Sequence, residues 1–226
     1  MAQRPVFIPS ESGPPYVVEV WVDFKWFPGM AVTRKQMSIE SLHSAARDYH
    51  GIHPILEVSS RSSEALGRAL SAFRLSLRLA DGREITVESA FQGSKIFTGG
   101  GPFVDLYDSD GSTARRDPRV RNSGDLIGFE FDGLPWPTEP IHGFYEWLYN
   151  LGLERAEVGD AALNRYAGFT DIEFNPKRSW NCQARAVARR QGMLRAGLKP
   201  TKDRAAFFRA LGIDGTANQQ QLFFPK

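Results

Sequence analysis

The sequence predicts an α+β fold that is mostly helical and has short antiparallel strands. Apolar and polar residues alternate through residues 73–79, which is the pattern of a half-buried strand. The pair Asp81-Gly82 follows and is a strong hairpin signal, so residues 83–87 should return as the partner strand. Segments of helical length lie on both sides of this hairpin. Such interleaving of helices and short strands favours the α+β class.

Local signals predict the remaining elements. Residues 1–15 are rich in proline and glycine and should form an extended arm, and residues 105–125 should form a long polar surface loop. Further strands are expected at residues 16–24, 54–60 and 129–131. Helices are expected at residues 38–49, with Ser38 as N-cap, and at 64–70, 88–98, 141–153, 160–166, 179–196 and 202–211. With 226 residues, of which 42% are hydrophobic, the chain can build a substantial core.

The composition excludes several classes of protein. No run of about 18 apolar residues occurs, so no membrane-spanning helix is expected. The N-terminus lacks the apolar centre of a signal peptide. Cys182 is the only cysteine, which excludes an internal disulfide and a cysteine-rich zinc site, and it should be a buried structural thiol. These features predict a soluble cytoplasmic protein without a metal or cofactor.

Three polar residues share one stripe of a predicted helix. Glu88, Gln92 and Lys95 are spaced i, i+4 and i+7, which places them on successive turns. At ~1.5 Å per residue the glutamate and lysine would lie about 10 Å apart along the axis, too far for an ordinary helical ion pair. A ligand bound between them could contact both. The spacing therefore suits a proton-handling carboxylate and a nucleophilic or charge-stabilising amine that act on one ligand.

Two further runs have alternative interpretations. They are Ser59, Ser60 and Arg61 in one polar turn, and Gly99, Gly100 and Gly101 in another. The first run could cap the following helix, hold a pyrophosphate, or do both. The glycines could form a helix cap and turn, or let backbone N–H groups approach a phosphate closely.

Aromatic and amide residues later in the chain could bind a nucleoside. Core packing is the expected role of the aromatic run 144–149, although a ring such as Trp147 could stack on a base or sugar. Asp171 and Glu173 would share one face of an extended segment, and Asn181 lies near the start of the long helix. Polar residues at a helix start often only cap it. A carboxylate and amides beside aromatic residues would also suit a nucleoside.

Positive charge is concentrated in residues 177–204, although the net charge of the chain is only +2. A basic segment of this kind could follow a nucleic-acid backbone. It could equally be the solvated face of a helix. Charge alone leaves both interpretations open.

At these residues the chain resembles the NADAR superfamily, and most closely the NADAR antitoxins encoded beside DarT-type DNA ADP-ribosyltransferase toxins. The resemblance covers residues 56–194. It is carried by Leu70-Ser71-Ala72-Phe73, by Val87-Glu88 through Phe91-Gln92 to Lys95, by residues 169–176, and by Asn181-Cys182-Gln183-Ala184. It implies a single NADAR-like (YbiA-like) domain over residues 1–226. In this domain residues 1–55 would be an N-terminal elaboration, 56–196 the core, and 197–226 a C-terminal helix and tail.

The resemblance also implies a function. It implies a hydrolase, an N-glycosidase that removes ADP-ribose from guanine bases of DNA, acting as the antitoxin of a toxin-antitoxin system. The glutamate and lysine of the family helix match Glu88 and Lys95, and a later aspartate matches Asp171. The expected partners are ADP-ribosylated DNA, ADP-ribose as product, and the cognate DarT-type toxin.

The residues permit a mechanism. A neutral Lys95 amine could attack the anomeric carbon and form a Schiff base, while Glu88 relays protons. Burial or a nearby cation would have to lower the lysine pKa from about 10.4. Asp171 could hold a ribose hydroxyl or share the proton transfer. Two alternatives stay open: hydrolysis of a small ribosylamino nucleotide, and non-catalytic binding of the toxin or of ADP-ribosylated DNA.

Overall fold

The structure, a computed structural model, describes residues 1–140, 142–156, 158, 160–176, 179, 181–199 and 201–211. The strands are β1 (Ala2–Pro9), β2 (Val17–Phe24), β3 (Ile55–Glu57), β4 (Ser76–Arg78), β5 (Glu84–Thr86), β6 (Lys95–Phe97), β7 (Leu126–Phe131), β8 (Leu134–Trp136) and β9 (Gly168–Thr170). The helices are α1 (Val32–His50), α2 (Ala65–Ala69), α3 (Val87–Gly93), α4 (Gly111–Arg116), α5 (Arg119–Asn122), α6 (Gly143–Arg155), α7 (Asp160–Asn164), α8 (Gln183–Arg195) and α9 (Arg204–Ala210). A 3-10 helix, Val104–Asp108, precedes α4.

The mixture of helices with small, mostly antiparallel sheets confirms the predicted α+β class. The chain forms two compact units: Met1–Ser71 with Glu157–Pro200, and Ala72–Ala156 with the described residues 201–211. The division into elaboration, core and tail stays a prediction. The tail beyond residue 211 and the predicted helix start at residue 141 lie outside the described residues. No helix in the described ranges is long and apolar enough to cross a membrane.

The first unit is built on a four-stranded sheet with the order β2-β1-β9-β3. Strands β1 and β2 pair antiparallel over their full length, whereas β3 pairs parallel to β9. Helix α1 packs Ile39, Leu42 and Ala46 into the core of this unit, because these residues recur at helical spacing.

Two predictions in the first unit are wrong. Residues 2–9 form strand β1 rather than a free arm, since β2 supplies a full-length partner. The two prolines of β1 are tolerated because β9 pairs with β1 only at Phe7. Helix α1 begins at Val32, so Ser38 lies in its interior and not at its N-cap. The Ser38 hydroxyl donates to the Arg34 carbonyl at 3.1 Å, the back-bonding available to serine within a helix.

The second unit contains the predicted hairpin, formed by β4 and β5 with Ser76 opposite Thr86. Its turn is wider than two residues, because the Leu79 N–H donates to the Arg83 carbonyl. A three-stranded sheet, β6-β7-β8, packs aromatic residues against helix α6, with the Phe129 and Phe144 ring centroids 4.6 Å apart. These contacts place the core of the unit between this sheet and α6.

The predicted loop at residues 105–125 is wrong, because much of this segment is helical. Asp110 caps α4 by accepting hydrogen bonds from the N–H groups of Ser112 and Thr113. Arg119 forms ion pairs with Asp105 at 2.6 Å and Asp117 at 3.0 Å. The polar residues that suggested a loop therefore form helix caps and ion pairs.

Candidate active site

Helix α3 fixes the position of Glu88. It begins directly after β5, and Thr86 caps it by accepting a hydrogen bond from the Ser89 N–H at 3.1 Å. The Glu88 N–H donates to the Ala72 carbonyl at 3.0 Å. Its carboxylate lies in the first turn, where the helix dipole favours negative charge. Every residue of α3 is buried, so Glu88 is carried by an immobilised helix.

Lys95 does not continue this helix, so the predicted two-turn stripe is wrong. The helix ends at Gly93, and Lys95 begins strand β6, opposite Phe129 of β7. A Cβ at Gly93 would lie 2.6 Å from the Tyr107 ring, so only glycine fits at this helix end. The Ser94 carbonyl then accepts from the Glu130 N–H at 2.8 Å, which draws the chain into the sheet.

A hydrogen-bonded chain nevertheless joins the three predicted side chains. Gln92 Nε2 donates to Glu88 Oε1 at 3.0 Å, and Lys95 Nζ donates to Gln92 Oε1 at 2.7 Å. The amide orientation follows from chemistry, because a carboxylate requires a donor and an ammonium requires an acceptor. Glu88 and Gln92 are each 6% exposed, and Lys95 is half-buried. The protein itself therefore bridges the glutamate and the lysine.

An aromatic wall lines the lysine amine. Lys95 Nζ lies 4.7 Å from the centroid of the Phe91 ring. Tyr145 packs edge-to-face on the same ring, with centroids 5.1 Å apart. The ring face attracts the charged form of the amine. The amine thus lies in a water-poor environment with two defined contacts, one apolar and one polar.

Burial shifts both ionisable groups toward their neutral forms. Burial raises the pKa of Glu88, against the opposing effects of the Gln92 hydrogen bond and the charges of Arg115 and Lys95. Burial lowers the pKa of Lys95 to about 8, where the Glu88 charge opposes the shift and the Arg115 charge reinforces it. An amine with a pKa of about 8 is partly neutral at neutral pH, which nucleophilic attack requires.

Arg115 is a member of this site that sequence reasoning missed. It lies on α4, which packs so closely on α3 that a Cβ at Gly111 would be 2.8 Å from the Glu88 Cβ. This approach brings the Arg115 charge to both Glu88 and Lys95. The sequence did contain a signal, since Asp110 followed by Ser112 and Thr113 is a plausible helix start.

Asp171 lies in the first unit, where it is held by backbone donors. Its Oδ1 accepts from the N–H groups of Glu173 at 3.0 Å and Phe174 at 3.2 Å. Burial raises the pKa of Asp171 well above its usual range, and the nearby charge of Glu57 adds to this effect. The protonated form of the carboxyl is therefore favoured.

Glu57 is a second buried acid that sequence reasoning missed. Its Oε1 accepts from the Ser59 hydroxyl at 2.6 Å and the Ile172 N–H at 2.9 Å, and its Oε2 accepts from the Thr170 hydroxyl at 2.7 Å. Burial raises its pKa to about 7 despite these donors. One predicted phosphate ligand, Ser59, is thus engaged by a carboxylate.

The other polar candidates of the first unit have different surroundings. Arg61 faces Glu173 at 3.7 Å, and Lys35 pairs with the same carboxylate at 3.1 Å. Ser60 is exposed, and the buried Asn181 Oδ1 has no hydrogen-bond partner among the described residues. The serine run does not cap α2, whose N-cap is Glu64. Among the described residues, no group of three histidine, cysteine, aspartate or glutamate side chains could hold a metal ion.

A family model described as "DarT1-associated NADAR antitoxin" matches residues 2–221. The chain belongs to this family of NADAR antitoxins. None of the curated proteins matches the chain. The match confirms the resemblance that the Glu88 and Phe169–Ala184 blocks suggested.

In this NADAR antitoxin the three glycines make backbone contacts near Lys95. The Gly99 N–H donates to the Ser123 carbonyl at 2.8 Å, and the Gly100 N–H donates to the Phe97 carbonyl at 3.2 Å. Gly101 has a φ of +104°, and a Cβ there would lie 2.2 Å from the Lys95 carbonyl oxygen. These contacts favour the structural alternative over a phosphate-binding loop.

Trp147 of the antitoxin packs in the core of the second unit, which is the role expected for the aromatic run 144–149. Its ring centroid lies 4.5 Å from that of Trp136, and its Nε1 donates to the Lys202 carbonyl at 3.1 Å. Its apolar body and its single donor are therefore both used within the protein.

Most of the basic segment of the antitoxin is also engaged internally. Arg185 faces Glu19 at 3.4 Å, and Arg190 pairs with Asp160 at 3.2 Å. Arg195 donates to Asn164, and Arg204 lies over the Trp136 ring at 4.5 Å. Lys177 and Arg178 lie outside the described residues. These contacts favour a structural role for the described arginines over a track for DNA phosphates.

Proposed function

We propose that this protein is an N-glycosidase that removes ADP-ribose from guanine bases of DNA and thereby acts as the antitoxin to a DarT1-type toxin. The observation that carries the proposal is the chain from Glu88 through Gln92 to Lys95. It joins a carboxyl whose pKa is raised by burial to an amine whose pKa burial lowers to about 8. The match to a family of DarT1-associated antitoxins supports the biological role.

The proposed reaction begins with opening of the ribose ring at the anomeric carbon: the carbon–oxygen bond breaks, the proton of the guanine N–H passes to the ring oxygen, and an imine to the guanine nitrogen is left. The Lys95 nitrogen bonds to this carbon, and the guanine nitrogen leaves with its electron pair and takes a proton from Glu88. The resulting lysine Schiff base is attacked by water, and Glu88 accepts the water proton. Collapse of this adduct breaks the bond to Lys95 as the hydroxyl proton passes to the lysine nitrogen, and the resulting aldehyde of ADP-ribose closes its ring. The net change is hydrolysis, with both residues restored.

Gln92 and Asp171 have supporting roles in this proposal. Gln92 positions the amine and the carboxyl through one amide, so that neither depends on substrate for its orientation. Asp171 is proposed to hold a ribose hydroxyl or to share the proton transfer, because burial and Glu57 raise its pKa. The burial of Glu88 favours an enzyme over a module that only binds modified DNA.

The decisive experiment measures release of ADP-ribose from an oligonucleotide that carries ADP-ribosylated guanine. Lys95→Ala should lower the single-turnover rate by about 10³-fold or more, since it removes the nucleophile. Lys202→Ala is the matched control, because the Lys202 side chain is 76% exposed and should leave the rate unchanged. Circular dichroism establishes that both variants fold. Undiminished release by folded Lys95→Ala would remove lysine from the mechanism.

Two further experiments distinguish the alternative mechanisms and substrates. Borohydride added during turnover should trap a covalent adduct on Lys95, whereas an electrostatic lysine would give none. A free ribosylamino nucleotide offered in place of DNA tests the small-metabolite alternative. Binding of modified DNA or of the toxin without any release would instead support a non-catalytic antitoxin.

A further inference from the structure

Strand β2 lies at one end of the four-stranded sheet of the first unit, where its outer edge is open among the described residues. It pairs with β1 over its full length without a bulge, and no backbone hydrogen bond joins its other side to a described residue. Natural sheets protect exposed edges with proline, lysine, a bulge or a very short strand. Residues 17–24 contain neither proline nor lysine, so β2 has none of these four protections.

The register of the β1–β2 hairpin shows which backbone groups face the open edge. The Ser10 N–H donates to the carbonyl of the opposite residue, Tyr16, at 3.0 Å, so this pair is hydrogen-bonded. Hydrogen-bonded and non-hydrogen-bonded pairs alternate along an antiparallel ladder. The even-numbered residues of β2 therefore bond to β1, and the odd-numbered residues direct their N–H and C=O groups to the open edge. Pro5, which has no N–H, lies opposite Trp21, as this alternation requires.

Apolar side chains are exposed on both faces of this edge. Val18 is 49% exposed and Trp21 is 43% exposed, and they lie on opposite faces because side chains alternate along a strand. Val20 is partly buried on the same face as Val18. Glu19 shares the face of Trp21, and its carboxylate pairs with Arg185 of α8 at 3.4 Å. An added strand would therefore bury apolar surface on both faces of the sheet.

Charge selects the register in which a second copy of this strand can pair. Antiparallel pairing about a two-fold axis at Trp21 would set Glu19 against Asp23 of the second copy, and like charges directly opposite are destabilising. An axis at Glu19 would set the two Glu19 carboxylates against each other. An axis at Val20 avoids both conflicts, because it sets Glu19 against Trp21.

We propose that the protein forms a symmetric dimer in which β2 pairs antiparallel with β2 of a second copy about an axis at Val20. Each Glu19–Trp21 pair exchanges backbone hydrogen bonds, since both residues direct their N–H and C=O groups to the edge. The added strand covers Val18, and the Trp21 ring of the second copy lies beside the Glu19–Arg185 ion pair. The contact is identical on both copies, so it closes and leaves no β2 edge free.

Disulfide trapping tests the register. Val20→Cys sets two thiols opposite each other at a non-hydrogen-bonded pair, where the Cα atoms are about 4.5 Å apart and a disulfide can form. Mild oxidation should then give a covalent dimer on a non-reducing gel. Cys182, the only native cysteine, is buried and should not contribute.

Trp21→Cys is the matched control for this trapping. Residue 21 is the more exposed of the two positions, so random collision would favour its cross-linking. In the proposed register it lies opposite Glu19, and it should cross-link about 10-fold less than Val20→Cys. Equal or greater cross-linking of Trp21→Cys would overturn the proposed dimer.

Sedimentation velocity of the full chain tests the dimer itself. The wild type should sediment as a dimer whose fraction rises with protein concentration. Val18→Lys places a lysine on the edge of both copies and should weaken association about 10-fold. Ile127→Lys should leave association unchanged, because Ile127 is a similarly exposed strand residue, at 53%, but belongs to the second unit.

Circular dichroism establishes that the lysine and cysteine variants fold. A wild type that stays monomeric at every soluble concentration, or a dimer that both lysine variants weaken equally, would overturn the inference. A wild type that is monomeric alone and associates only with the DarT1-type toxin would also overturn it and would assign the β2 edge to a toxin segment.

Discussion

Lys95 donates its Nζ hydrogen to Gln92 Oε1 at 2.7 Å, although Lys95 belongs to a strand and Gln92 to the preceding helix. The bond closes across the two-residue junction Gly93-Ser94, where the chain turns from α3 into β6. The amide of Gln92 then donates to Glu88. A single glutamine therefore sets the positions of the two groups to which we assign the chemistry.

Replacement of Gln92 by methionine should uncouple these two groups while nearly preserving side-chain volume. We expect ADP-ribose release to fall about 10- to 100-fold, because the amide that orients both the Lys95 amine and the Glu88 carboxyl is lost. The pKa of Lys95 should fall further and that of Glu88 should rise further, since each loses a bond that favours its charged form. The measurement is the pH profile of single-turnover release.

Gln3→Met is the matched control for this substitution, because the Gln3 side chain is exposed in the first unit. It should leave the rate and the pH profile unchanged. A wild-type profile in folded Gln92→Met would show that the amide does not couple Glu88 to Lys95.

The stability of the protein should depend on pH through Lys95. Its pKa is lowered from 10.5 to about 8 by burial, so the folded state binds the lysine proton less tightly than the unfolded state. Below pH 8 both states are protonated and folding carries the full cost of the buried charge. As pH rises from 8 toward 10.5 the folded state loses its proton first, and this cost disappears.

Lys95→Met removes that dependence. Its stability advantage over the wild type in urea unfolding should be greatest at or below pH 7 and should shrink toward pH 10. Comparison of the two proteins at each pH cancels the titration of the groups that do not interact with Lys95, whereas Glu88 does interact with it. A difference that stays constant from pH 7 to 10 would show that Lys95 titrates normally.

Local patterns predicted the parts of the fold that depend on neighbouring residues. The alternation before Asp81-Gly82 predicted the hairpin, and local signals predicted α6 and α8 with shifted ends. Glu88 and Lys95 were identified from their spacing, although the helix ends before Lys95. The close contact between Gly93 and the Tyr107 ring determines where the helix ends, and no local sequence signal indicates this contact.

The features that could not be predicted from the sequence depend on contacts between residues that are far apart in the chain. Strand β1 looks like an arm until β2 supplies its partner. Nothing in the sequence marks Glu57, which lies in a three-residue strand. Two of its hydrogen-bond donors, Thr170 and Ile172, are 113 and 115 residues away along the chain. Its burial and raised pKa therefore arise only from the tertiary fold.

Substitutions at two glycines distinguish the cost of backbone strain from the cost of a clash with β6, the strand that carries Lys95. Both Gly101 and Gly133 have positive φ, at +104° and +76°. A Cβ at Gly101 would lie 2.2 Å from the Lys95 carbonyl oxygen, whereas a Cβ at Gly133 would have nothing within 4 Å. Gly133→Ala should therefore cost only the local strain, about 1 kcal/mol, and should leave activity intact.

Gly101→Ala should lower the free energy of unfolding by about 3 kcal/mol or more, since it adds displacement of β6 to the strain. It should also reduce ADP-ribose release, because Lys95 moves with its strand. Urea unfolding and single-turnover assays measure the two effects. Equal behaviour of the two variants would mean that the glycine loop does not hold Lys95 in place.

The chain Glu57–Thr170–His43 should act as a tautomer switch. With Glu57 ionised, Thr170 donates to Glu57 and His43 Nε2 donates to Thr170. Glu57 Oε1 already accepts from Ser59 and Ile172, so a proton on Glu57 occupies Oε2. Thr170 must then turn its hydrogen toward His43, and the imidazole proton moves to Nδ1.

This reversal should occur as pH falls through about 7, the raised pKa of Glu57, which burial sets and Glu173 reinforces. The imidazole should stay neutral throughout, because burial and His53 hold the pKa of His43 at about 4. Glu57→Gln should fix the Nδ1–H form at all pH values, since its amide nitrogen takes the Oε2 position and donates to Thr170. Nitrogen-15 NMR of the His43 ring distinguishes the two tautomers. Thr170→Val should abolish the dependence by breaking the chain, and a tautomer in wild type that ignores pH would refute the switch.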